Sequence, residues 1–144
     1  MSIIADLQSR PPVLTSASRY VAVNGIFYML CGASLLAWPG MVQTIFMDPP
    51  FIGHDELLVR LVGLLLAIIG WLCLFGGRSG GRQFVAATVV DRILFVPAPL
   101  VALAMTGLFP HILLTFAVLD PLLAIGAWIL LSRDSKGQIA FRPN

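Results

Sequence analysis

Charge is what this chain has least of. Asp, Glu, Lys and Arg make up 11% of its 144 residues, against about 25% in ordinary soluble domains. With 58% apolar residues and a mean hydropathy of +0.93, a water-soluble globule would be left exposing much of its apolar surface. The 9 basic residues are scattered and leave a net charge of +2. They make no patch for a nucleic acid, and no nucleic-acid motif accompanies them. Cysteine is nearly missing. Cys31 and Cys73 form no CxxC pair and sit inside apolar runs at different expected depths, so they read as small buried hydrophobes rather than a redox couple. GxSxG, HExxH, Walker and Rossmann fingerprints are all absent, which removes the common hydrolase, zinc-protease and nucleotide-binding chemistries. His54 and His111 have no ligand spacing, so neither a metal nor a cofactor is expected. The opening stretch, MSIIADLQSRPPVLTSASR, has no basic region followed by an apolar core. No cleaved signal peptide is expected, and the first membrane helix serves as the insertion signal.

What remains is apolar sequence in lengths that match a bilayer. A span needs about 20 such residues, and four stretches qualify: 20–38, 57–76, 84–106 and 111–132. The expected fold is all-α, an integral membrane four-helix bundle over residues 20–132. Polar segments 1–19 and 133–144 flank it. Ile3, Ile4 and Leu7 in the first of these suit a short interfacial turn. The loop 41–56 is apolar for its position, with Met41, Val42, Ile45 and Phe46 at helical spacing. That pattern predicts a short interfacial helix in the first outer loop. Asp55 is placed to cap the second helix. Gly25 and Gly32 in the first helix, and Gly63 and Gly70 in the second, mark faces for close helix contact. Pro97-Ala98-Pro99 removes two backbone donors from the third helix and predicts a kink or a broken turn there. Leu65-Leu66-Ala67-Ile68 with Trp71 is echoed by Leu122-Leu123-Ala124-Ile125 with Trp128, which raises a duplicated hairpin as one reading.

Orientation follows from the loops. Arg10 and Arg19 precede the first helix, Arg78 and Arg82 follow the second, and Arg133, Lys136 and Arg142 follow the fourth; the two opposite loops contain no Lys or Arg. By the positive-inside rule both termini are cytoplasmic, and the expected location is a bacterial inner membrane.

The scarce charges are informative where they fall inside the spans. Asp91 and Arg92 sit about 5 Å to the cytoplasmic side of the third helix's midpoint, and Asp120 sits near the middle of the fourth. A charge at such depth is costly and normally has a partner or water. Asn24 and Tyr28 of the first helix fall at similar levels, and Arg60, about 10 Å toward the outside, has a side chain long enough to reach in. Asn24, Tyr28, Arg60, Asp91, Arg92 and Asp120 are therefore the candidate ligand-binding set. Asp91, Arg92 and Asp120 are the candidates for any acid–base catalysis. Two readings stay open. In one, Arg92 simply neutralises Asp120 or Asp91 and fixes helix register. In the other, the groups line a polar chamber for a proton, an ion or a ligand head group.

Several of these residues carry a resemblance. Pro39 ends the first helix, Glu56 and Arg60 enter the second ahead of Gly63, Arg92 lies in the third and Asp120 in the fourth. In this the chain resembles small four-helix bacterial inner-membrane proteins of unknown function, over residues of about 20–132. Asp91 beside Arg92 and the double proline depart from that pattern. The resemblance implies the architecture and a polar core, and no chemistry. The leading expectation is a small binding or accessory module, for a lipophilic ligand or a larger membrane complex, with the bilayer as its surroundings and homo-oligomers allowed by its Gly-rich faces. A proton-coupled small transporter and a membrane enzyme of isomerase or hydratase type are the alternatives.

Overall fold

Helix α1 (Ser16–Ala37) starts four residues before the apolar run that announces it, because Thr15 caps it. The Thr15 hydroxyl accepts from the Ser18 amide at 3.2 Å, satisfying a donor that the first turn would otherwise leave orphaned. A computed structural model of the chain describes residues 13–140, and every element among them is helical. After α1 come a one-turn helix α2 (Met41–Thr44), the long α3 (Asp55–Arg78), α4 (Arg82–Val90), a π-helical turn (Asp91–Phe95), α5 (Pro97–Met105) and α6 (Pro110–Ala140). The expected interfacial turn at Ile3, Ile4 and Leu7 lies outside the described residues.

Among the described residues, four segments are long and apolar enough to cross a bilayer: Ser16–Ala37, Asp55–Arg78, Arg82–Met105 and Pro110–Ser135. The chain is a multi-pass helical membrane protein. Its outward faces agree, since Leu30, Leu57, Leu94 and Val118 each expose about three-fifths of their surface. Each span begins one to four residues before its apolar run, since the helices start in the polar flanks. At the second span the helix begins with Asp55 itself rather than after it, and the Asp55 carboxylate accepts from the Ile52 amide at 2.8 Å. The fourth helix runs on through the first residues of the expected polar tail. There Asp134 accepts from the Ala17 amide at 3.0 Å, and Ser135 accepts from the Arg82 guanidinium at 2.6 Å. These two bonds tie the ends of α1, α4 and α6 together at the basic side of the molecule.

The tightest seam joins α1 to α3. Ser18, Gly25 and Gly32 recur at intervals of seven, as do Gly63, Gly70 and Gly77, and the two rows face one another. A methyl group added to Gly70 would lie 2.6 Å from the Gly25 carbonyl oxygen and from the Met29 amide; one on Gly77 would lie 2.6 Å from the Ala22 amide. Only hydrogen fits between these backbones, and van der Waals contact is what holds helices together in lipid. The close-contact face read from the sequence is thus filled from within the chain.

The third span is interrupted where its sequence is least helical, though one turn earlier than the prolines themselves. The Val96 amide donates to the Asp91 carbonyl at 3.0 Å, five residues back. A proline ring clashes with the carbonyl four residues before it, which for Pro97 is that of Ile93. A widened π turn over Asp91–Phe95 relieves the clash, and the helix resumes at Pro97. Such turns are inserted at a cost in backbone geometry and concentrate at functional sites.

Candidate functional site

The π turn brings Asp91 and Arg92 to a chamber lined by residues of all four spans. The chamber has a volume of about 220 Å³. Its walls are apolar: Leu35 from α1, Val59 and Leu66 from α3, Leu100 from α5, Ile112 and Phe116 from α6. Val42 of the short helix α2 is fully buried over one end of it, beside Phe109. Four polar side chains line the other end: Tyr28, Asp91, Arg92 and Asp120.

Their connections differ from a simple ion pair. No Arg92 nitrogen lies within 4.0 Å of the Asp91 or Asp120 carboxylate. Instead the guanidinium sits over the face of the Tyr28 ring, 4.7 Å from its centre, and Nη2 points to the Cys73 sulfur at 3.4 Å. The Tyr28 hydroxyl donates to the Asp120 carboxylate. Tyr28 therefore stands between cation and anion, offering its π face to one and its O–H to the other. Tyr28, Arg92 and Asp120 are all buried, whereas Asp91 is exposed along the chamber and makes no side-chain hydrogen bond among the described residues. The Arg92–Asp120 bridge that a purely register-fixing role calls for is not formed.

The sequence candidates divide accordingly. Tyr28, Asp91, Arg92 and Asp120 come together on one wall. Asn24 is buried one turn from Tyr28 on α1, off the chamber lining, and its Nδ2 has no hydrogen-bond partner among the described residues. Arg60 is directed elsewhere. It pairs with Glu56 at 2.9 Å on the same helix and donates to the Leu36 carbonyl at the end of α1, where it satisfies an orphan acceptor of a helix terminus. Pro121 leaves α6 continuous and frees the carbonyl of Ala117, four residues back.

One organising residue carried no sequence signal. Asp48 is buried, and its carboxylate accepts from the amides of His111 and Ile112 at 2.8 and 3.1 Å and meets His111 Nδ1 at 3.0 Å. It caps the N-terminus of α6 from 63 residues away and holds the loop between α1 and α3 over the chamber. Met47 and Phe109 on either side of this contact have φ of +56° and +42°, a region that side chains disfavour and tertiary contacts must enforce. Capping partners distant in sequence leave no local pattern to read, and Asp48-Pro49-Pro50 looks like any turn. Comparison with protein-family models, with curated proteins and with solved structures finds no match to this chain.

Proposed function

We propose that this protein is a small membrane binding module whose four helices hold a lipophilic molecule with a polar head. The observation that carries this reading is the chamber itself. Its long apolar walls end on a polar group that the chain has not closed into an ion pair. Buried pockets for small molecules are mostly apolar, with a few polar groups that fix orientation, and this one has that distribution. Its volume suits a small or slender molecule. The proposal includes the setting: a bacterial inner membrane, both termini in the cytoplasm on the strength of the basic loops, and α2 lying at the outer interface as the chamber's roof.

The test is retention. Protein purified in mild detergent should carry a co-purifying small molecule, identified by mass spectrometry of an organic extract. Leu66→Trp, which fills the chamber, should abolish retention, while Leu72→Trp on the lipid-facing side of the same helix should leave it intact. Equal recovery from both variants, or none from the parent, would end this reading.

A membrane enzyme of isomerase or hydratase type is the second reading, favoured by one feature. The Tyr28–Asp120 bond puts a proton donor and a proton acceptor side by side on the chamber wall, within reach of whatever occupies it. It predicts that the extract contains substrate and product related by a proton shift or by water.

A further inference from the structure

Resting on the chamber reading, we propose that the occupant is a lipophilic cation: a membrane-dissolved molecule with an ammonium-type head and an apolar body, held by Asp91 as its counter-charge. Of the two carboxylates on the polar wall, Asp120 is already engaged by the Tyr28 hydroxyl. The one cation there, Arg92, is buried and turned onto the Tyr28 ring and the Cys73 sulfur, with neither carboxylate within 4.0 Å. Asp91 lines the chamber at an exposed position, with no hydrogen-bonding partner among the described residues. An acid in so apolar a place normally has a partner. The chamber's formal charge, two carboxylates against one guanidinium, matches a cationic guest and opposes an anionic one.

The walls indicate how such a guest enters. Helix α3 touches α4 beside the turn at Ser79, but makes little contact with the π turn and α5 beyond it. Across that divergence face Val62, Leu65 and Ile69, each about half exposed, and Val96 and Leu100 opposite. The gap is apolar along its length and reaches Asp91. A molecule dissolved in the bilayer slides in sideways with its body between α3 and α5 and its head on the carboxylate. Outside the chamber such an ammonium group stays at the membrane surface; inside, a carboxylate in low dielectric replaces its water.

Photoreactive probes of one chain length separate the possibilities. Decylamine, decanol and decanoate, each carrying a diazirine, are incorporated at equal membrane concentration into nanodiscs holding the full chain. Labelled residues are then mapped by mass spectrometry. The amine should label chamber residues at least about tenfold more than decanoate, the discrimination one partly desolvated charge pair supports. Asp91→Asn should bring the two to parity, and Asp91→Glu should keep the preference. The unfolding midpoint of Asp91→Asn establishes that the fold is intact. Preference for decanoate, or equal labelling by all three that ignores Asp91→Asn, overturns the cation and leaves the chamber standing. Labelling of the chamber no greater than that of lipid-facing Leu72 by any probe overturns both.

Discussion

Tyr28 does two jobs that are usually given to a salt bridge. Its ring takes the guanidinium of Arg92 and its hydroxyl takes the carboxylate of Asp120. Removing the hydroxyl and removing the ring are therefore different injuries. Tyr28→Phe keeps the cation–π contact and loses one hydrogen bond, worth roughly 1 kcal/mol inside a membrane. Tyr28→Leu also strands the guanidinium, and is expected to cost about 1 kcal/mol more. Equilibrium unfolding in mixed micelles measures both, and equal losses for the two variants would show that Arg92 draws nothing from the ring. The sequence made half of this legible. Asp91, Arg92 and Asp120 stand out because charge inside an apolar run is rare, and helical rise puts them within about one turn of the same depth. Neither rise nor rarity says which way a guanidinium turns. The part played by Cys73 was hidden for the same reason, since a thiol in an apolar run looks like packing until an arginine is found against it.

At the level of helices, regularity was easy to read and its interruptions were not. Apolar run length gave the four spans because bilayer thickness sets a helix length. Glycines seven apart gave the α1–α3 face because heptad spacing returns a residue to the same side of a helix. The π turn escaped because its hydrogen bond depends on how the chain relieves the Pro97 clash, and the sequence states only that a clash exists. The seam is the element most sensitive to substitution. Gly70→Leu places a side chain where 2.6 Å separates a methyl position from a backbone oxygen. The helices must part, at an expected cost of about 1–3 kcal/mol. Leu72→Ala, on the lipid side of α3, should cost far less. A drop in unfolding free energy for the second as large as for the first would mean that the seam is not what binds these helices.

The whole molecule has an asymmetry that neither residues nor helices display alone. One end, where Arg19, Arg78, Arg82 and Arg133 lie, is stapled by Asp134 and Ser135. The other end is an acid-capped loop over a cavity. If the basic end is cytoplasmic, cysteines introduced at the two ends report it. In a background with Cys31→Ala and Cys73→Ala, a membrane-impermeant maleimide added to intact cells should label Gln43→Cys directly. It should label Ser79→Cys only after the membrane is permeabilised. The reverse pattern would turn the molecule over and place the chamber's roof in the cytoplasm.

The glycine seam also has a bearing on how the chain comes to be made. All of its contacts fall between Ser18 and Gly77, in sequence that leaves the ribosome before Arg92 does. That hairpin already holds Tyr28 and Cys73, the two side chains against which Arg92 is packed. Synthesis in this order delivers the arginine's partners to the bilayer before the arginine exists. The charged third span, the one a translocation channel has most reason to reject, arrives beside a finished wall with its landing place already built.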